Sequence, residues 1–122
     1  MYFLTNTNKN LSKCCYAPAG NLYFRMDGRV SICSSGNSDV IGVYPLQSLS
    51  EIVHGEKRQA LLKKFRAAEV LKGCVKCQQC LQSGNHQSAT YRIYNEYTHR
   101  INRIVTAEFE LSNRCNLECV MC

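Results

Sequence analysis

Two short apolar runs near the start of the chain have the pattern of a strand pair. Residues 22–26 and 29–33 flank the dipeptide Asp27-Gly28, which is a strong signal for a tight hairpin turn. The polar segment 34–39 that follows is rich in turn-forming residues and predicts a loop. We therefore predict an antiparallel hairpin that ends at Cys33.

A longer helical pattern occupies residues 56–72. Apolar side chains recur there at steps of four, three and three, at Leu61, Phe65, Ala68 and Leu71. Gly73 follows at the position where a left-handed C-cap belongs. We predict a helix over 56–72 whose apolar stripe covers the hairpin and which delivers Cys74 to one end of it.

Three further elements follow from the same kind of pattern. Residues 49–54 predict a short helix with Ser48 as its N-cap. Residues 87–101 predict another helix, because apolar residues fall on one face at steps of four, and its tyrosines form a packing stripe. The apolar run 104–111 predicts a strand.

Length and composition restrict the class of protein. The sequence has 122 residues, enough for one small domain, and nine cysteines that can supply a metal or cross-link. It has no apolar stretch of membrane-spanning length and no signal peptide, so we expect neither membrane insertion nor secretion. In a reducing cytoplasm, the expected compartment, cysteines act as metal ligands or redox groups rather than as disulfides.

The formal charge of +6 prompts the question of a nucleic-acid partner. Six basic residues lie on the helix predicted over 56–72, with glutamates between them and no alternating aromatic residues: Lys57, Arg58, Lys63, Lys64, Arg66 and Lys72. This pattern favours a solvated helix face rather than a nucleic-acid surface. A weak anion-binding role stays open.

The last residues of the sequence carry a cysteine motif. Cys115, Cys119 and Cys122 have the spacing Cys-x3-Cys-x2-Cys, and three thiolates on one loop can hold three irons of a cubane cluster. With Asn116 and Leu117 behind the first cysteine, the motif resembles the signature of the radical S-adenosylmethionine (radical SAM) superfamily.

That resemblance implies a cofactor set and a reaction. The three cysteines would bind a 4Fe-4S cluster whose open iron takes S-adenosylmethionine, and one-electron reduction would then generate a 5′-deoxyadenosyl radical. Met121 stands where the family usually has an aromatic residue near the adenine, so we assign it to the cofactor-binding set. In the family this motif follows the first strand of a β/α barrel, and we expect the sequence to be the front of a longer enzyme.

The other six cysteines form two groups: Cys14, Cys15 and Cys33, then Cys74, Cys77 and Cys80. A Cys-x2-Cys pair presents two sulfurs to one metal, and Cys15 and Cys33 are the natural donors of a second pair. Spacing leaves zinc and an iron-sulfur cluster open. The terminal motif favours iron. Cys14 and Cys80 stay open as alternative ligands.

Several positions together resemble the auxiliary-cluster domain called SPASM or, in its shorter form, twitch. The resemblance includes Cys15, Pro18, Gly28, Cys33, Ile41-Gly42, Ser48-Leu49, Glu51-Ile52, Cys74 and Cys77. It implies one auxiliary 4Fe-4S cluster held by the four matching cysteines, with Gly28 in the hairpin turn.

We therefore predict an α+β fold in which a hairpin and helices surround an iron-sulfur site, followed by a linking helix and the first strand of a truncated β/α barrel. The predicted domains are 13–84, 85–103 and 104–122. The resemblance implies the N-terminal part of a radical SAM enzyme, inactive alone, that modifies a peptide or small molecule. Its electron donor would be a flavodoxin or ferredoxin. A small zinc-binding interaction module and a two-cluster electron-transfer protein are the alternatives.

Overall fold

One mixed sheet organises the fold. The computed structural model describes residues 10–35, 38–97 and 103–112. Its four strands are β1 (Asn21–Phe24), β2 (Arg29–Ser31), β3 (Val40–Val43) and β4 (Thr106–Phe109). They lie in the order β3-β2-β1-β4, and β4 runs parallel to β1 whereas the other neighbours are antiparallel. With the helices that pack on this sheet, the fold is α+β, as predicted.

The predicted hairpin is present between β1 and β2. Its turn needs Gly28, whose φ is +93° and whose added Cβ would lie 2.7 Å from the carbonyl oxygen of Tyr44. The Gly28 amide donates to the Arg25 carbonyl at 3.0 Å, and the Arg29 amide donates to Asp27 Oδ1 at 3.1 Å. Both strands are shorter than predicted, so Cys33 lies beyond the end of β2 rather than in it.

Five α-helices and three 3₁₀ turns occupy the described residues. The helices are α1 (Ala17–Gly20), α2 (Leu49–His54), α3 (Glu56–Arg66), α4 (Val75–Ser83) and α5 (Tyr91–Tyr97), and the turns are Leu11–Lys13, Lys72–Cys74 and His86–Ser88. The bounds of α2 are those predicted. Ser48 caps it in a reciprocal capping box with Glu51.

The predicted end of the long helix is wrong. Helix α3 ends at Arg66, because Ala68 adopts a φ of +66°. The amide of Glu69 then donates to the carbonyl of Lys64 at 3.1 Å, and the amide of Ala68 donates to the carbonyl of Phe65, which is the pattern of a Schellman motif.

The residues after this early stop have other roles than those predicted. Leu71 is buried from the segment that follows the helix, and Ala68 is exposed. Gly73 belongs to the turn Lys72–Cys74 instead of capping α3. The remaining apolar residues of the stripe, Leu61 and Phe65, join a core that also contains Leu22 and Val30 of the hairpin.

Other elements also differ from the sequence pattern. The chain forms β3 and α4, which were not predicted. The helix predicted over 87–101 starts only at Tyr91, because His86–Ser88 is a 3₁₀ turn and Ala89 is extended. The strand predicted over 104–111 is present as β4, and it pairs with β1 in the same sheet as the hairpin.

The prediction of a solvated basic face is wrong for one residue. Arg58 is only 5% exposed, whereas Lys57, Lys63, Lys64 and Arg66 on the same helix are exposed. Lys72, also assigned to that face, lies beyond the end of α3.

Within residues 10–35, 38–97 and 103–112, no helix has the length and apolar character needed to cross a membrane.

Candidate metal centre

Four cysteines line one cavity beside the sheet. Cys15, Cys33, Cys74 and Cys77 contribute to its wall, together with apolar residues and the side chains of Tyr91 and Tyr94 on α5. The cavity thus gathers thiols from three separate segments of the sequence, one of which supplies both Cys74 and Cys77.

The thiols reach the cavity from three short segments of the chain. Cys15 lies between the turn Leu11–Lys13 and α1, and Cys33 follows β2. Cys74 is the N-cap of α4, and Cys77 lies in the first turn of that helix. The Cys-x2-Cys spacing therefore places both thiols at the N-terminal end of one helix, where unpaired amides and the helix dipole favour negative charge.

The buried position of these thiols changes their acidity. Burial raises the pKa of Cys15, and the nearby Cys33, Cys74 and Cys77 add to the increase as like charges. For the same main reason the pKa of Cys74 is raised to about 12, and that of Cys33 is also raised. Thiolates gathered in this cavity would repel one another, so a bound cation would favour their charged form.

The described side chains do not form a closed cage for a metal ion. In this part of the chain, no group of three or more Cys, His, Asp or Glu side chains is arranged to hold one. The four cysteines share a cavity, and their role as ligands stays a prediction.

The two other cysteines of this region differ in position. Cys80 is buried on α4 and packs into the core, and Cys14 is half-buried against that core. Neither is among the described residues that line the cavity. Cys15 lines the cavity and Cys14 does not, which agrees with the choice of Cys15 from the sequence pattern.

Polar side chains around Cys33 were missed at the sequence level. Asn21 is fully buried and donates from Nδ2 to the carbonyl of Ile32 at 2.9 Å. On the other side of Cys33, the amide of Ser34 donates to the hydroxyl of Tyr94 at 2.7 Å. The packing stripe predicted for the tyrosines is confirmed for Tyr91 and Tyr94, which are both buried. A buried tyrosine hydroxyl needs a polar partner, but the spacing in the sequence does not indicate that Ser34 is the partner of Tyr94.

The predicted terminal site lies outside the described residues. Cys115, Cys119, Met121 and Cys122 all belong to the segment 113–122, so the assignment of a second cluster to them stays a prediction.

Comparison with known proteins identifies the region that carries the cavity. A family model described as SPASM, an iron-sulfur cluster-binding domain, matches residues 14–81, and this range includes all four cysteines of the cavity. No curated protein and no solved structure matches the chain.

Proposed function

Because the chain belongs to the SPASM family of iron-sulfur cluster-binding domains, we propose that Cys15, Cys33, Cys74 and Cys77 hold one auxiliary 4Fe-4S cluster. The observation that carries this proposal is that these four cysteines, and neither Cys14 nor Cys80, line the buried cavity in the described part of the chain.

The donor set and its surroundings fit such a group. Four thiolates are the usual ligands of a 4Fe-4S cluster. The cavity wall is mainly apolar, with Ile32 and Pro18 among its residues, and such a wall limits the access of water. Since burial raises the pKa values of Cys15, Cys33 and Cys74, the positive iron centre would compensate for the cost of their negative charges. When bound, the cluster supplies one-electron transfer.

A second part of the proposal concerns the terminal motif. Cys115, Cys119 and Cys122 would bind another 4Fe-4S cluster, with S-adenosylmethionine on its open iron and Met121 near the adenine. The spacing of the cysteines and the membership in the SPASM family support this assignment. In this proposal the chain carries the cofactor-binding motif of a radical SAM enzyme.

The same proposal assigns partners and a compartment. A peptide or small molecule would be the substrate, and a flavodoxin or ferredoxin would supply electrons. A reducing cytoplasm would keep the cysteines available as ligands.

The first test is anaerobic reconstitution with iron and sulfide, followed by metal analysis and electron paramagnetic resonance (EPR). In a background that carries Cys115→Ala, Cys119→Ala and Cys122→Ala, we expect about four irons per chain and the EPR signal of a reduced cluster. Adding Cys33→Ala should lower the iron content and change the EPR signal, because one of the four proposed ligands is lost. The matched control is Cys80→Ala, which removes a buried thiol from outside the cavity and should leave the iron content unchanged.

Two outcomes would contradict the proposal. Stoichiometric zinc without a cluster signal would identify a zinc-binding module instead. Equal loss of iron in the Cys33→Ala and Cys80→Ala variants would show that the cavity does not define the site.

The second test uses the chain with all its cysteines. S-adenosylmethionine should change the EPR signal of the terminal cluster, because it binds to the open iron. A signal that does not respond to S-adenosylmethionine would favour a two-cluster electron-transfer protein.

A further inference from the structure

The peptide groups on both sides of Cys33 are held by buried side chains. Asn21 of β1 holds the carbonyl of Ile32, with a distance of 2.9 Å from Nδ2 to the oxygen. Tyr94 of α5 holds the amide of Ser34 at 2.7 Å and also contacts the Ser34 hydroxyl at 3.1 Å. The backbone direction at Cys33 therefore depends on two side chains from other elements.

Both of these side chains meet Glu108 of β4. Asn21 donates a second hydrogen bond from Nδ2 to Glu108 Oε1 at 3.0 Å. Burial raises the pKa of Tyr94, and a hydrogen bond between its hydroxyl and Glu108 adds to the increase. Glu108 therefore contacts both side chains, Asn21 and Tyr94, that hold the backbone on either side of Cys33.

A neighbouring threonine fixes the orientation of this network. Thr106 lies two positions before Glu108, so both side chains point to the same face of β4. Its hydroxyl donates to Asn21 Oδ1 at 2.7 Å. With its oxygen and its amide group both bonded, the fully buried Asn21 presents Nδ2 to Ile32 and Glu108 in a single orientation.

The carboxylate of Glu108 also lies near the backbone of Cys33. Glu108 Oε1 accepts from Asn21 Nδ2 at 3.0 Å, and the same Nδ2 donates at 2.9 Å to the carbonyl of Ile32, in the peptide group that joins Ile32 to Cys33. A negative charge this close to a cluster ligand disfavours the addition of an electron to the cluster.

We propose that Glu108 positions the Cys33 ligand and, through its charge, lowers the reduction potential of the cluster in the cavity. This inference rests on the function proposed above for the four cysteines. Asn21 lies inside the range matched by the SPASM family model, whereas Tyr94 and Glu108 lie outside it. The segment after the matched domain therefore completes the surroundings of the cluster.

The test of the charge is a redox titration of the reconstituted chain without the three terminal cysteines. Dithionite delivers one electron to the cluster, and EPR measures the reduced fraction as a function of potential. Glu108→Gln keeps an amide oxygen that can accept from Asn21 but removes the charge, so the midpoint potential should shift to a more positive value. Glu108→Asp retains the charge and should shift the midpoint less than Glu108→Gln does.

Glu110→Gln is the matched control for this measurement. The carboxylate of Glu110 accepts from the amide of Met26 at 2.8 Å at the hairpin turn. This substitution also removes one negative charge near the end of β4, but Glu110 does not take part in the hydrogen bonds of Asn21 and Tyr94 around Cys33. It should change the midpoint potential less than Glu108→Gln does.

The test of positioning uses Tyr94→Phe, which keeps the ring in the cavity wall and removes the hydroxyl. Ser34 then loses a hydrogen-bond acceptor, and iron release to a chelator should become roughly fivefold faster, the factor that corresponds to one hydrogen bond. Tyr23→Phe, on β1, is the control and should release iron at the rate of the parent chain.

The possible failures can be told apart. If the parent chain binds no iron, both the proposed function and this inference are wrong. If it binds the cluster, but Glu108→Gln shifts the potential no more than Glu110→Gln, only the inference about charge is overturned. If Glu108→Gln binds no iron, the positioning role is decided by the rate of iron release from Tyr94→Phe. A release rate equal to that of the parent chain would overturn this role.

Discussion

At the scale of single residues, the buried Arg58 joins two helix ends. Its Nη1 donates to the carbonyl of Val53 in α2 at 3.0 Å. Its Nη2 donates to the carbonyls of Pro18 and Ala19 in α1, at 3.3 and 3.2 Å. These carbonyls lie near the negative ends of the two helices, where a cation is favourable. Arg58 thereby fixes α1, which begins two residues after Cys15.

We expect Arg58→Met to lower the free energy of unfolding by about 2 kcal/mol or more. Methionine can replace the apolar stem, but the carbonyls of Val53, Pro18 and Ala19 lose a charged donor. Urea denaturation followed by circular dichroism measures the change. Lys63→Met, at an exposed position of the same helix, should change the free energy by less than about 0.5 kcal/mol. Similar losses in both variants would contradict the role given to Arg58.

Two glycines with positive φ allow steric and conformational costs to be separated. An added Cβ at Gly28 would meet a carbonyl oxygen at 2.7 Å, whereas at Gly84, with φ of +79°, it would meet no described atom within 4 Å. Gly84→Ala should therefore cost about 1 kcal/mol for the backbone conformation alone. Gly28→Ala should cost more, because the hairpin turn and the residues around Tyr44 must also move. Equal denaturation midpoints for the two variants would contradict this expectation.

At the scale of elements, the local patterns predicted the hairpin and α2 well. Asp27-Gly28 and the capping box of Ser48 with Glu51 are short signals, and each acts within its own element. The end of α3 had no such signal, because an alanine occupies the left-handed position at Ala68. The apolar spacing predicted a longer helix because Leu71 falls at the next helical step. Leu71 is in fact buried from the segment that follows the turn at Ala68.

The backbone strain at the end of α3 predicts that one substitution there raises the free energy of unfolding, whereas most substitutions lower it. Ala68 holds a φ of +66°, which glycine adopts without the penalty of a Cβ. Ala68→Gly should therefore stabilise the protein by about 0.5–1 kcal/mol, measured by urea denaturation. Ala67→Gly, at a C-cap with φ of −80°, is the control and should be destabilising. A lower stability of Ala68→Gly would show that the Schellman end is not strained.

At the scale of the whole molecule, the sequence pattern selected the four cysteines that line the cavity, but it did not identify the side chains around them. The four cysteines could be selected because their spacing is a known pattern and they resemble one family. Tyr94 and Glu108 carry no comparable signal, and Tyr94 is 60 positions from its partner Ser34. Their role depends on the parallel pairing of β4 with β1, which local periodicity cannot predict.

That parallel pairing has a consequence for the order of folding. The hairpin needs only neighbouring residues, whereas the contact between Thr106 and Asn21 closes 85 positions of sequence. Closing a longer loop costs more entropy, so the hairpin should form first and β4 should join later. In pulse-labelled hydrogen exchange, amides of β1 that face β2 should be protected before the amides of β4, and simultaneous protection would contradict this order. Until β4 pairs with β1, the edge of β1 would stay open in the nascent chain, and iron would have an interval in which to reach Cys15, Cys33, Cys74 and Cys77.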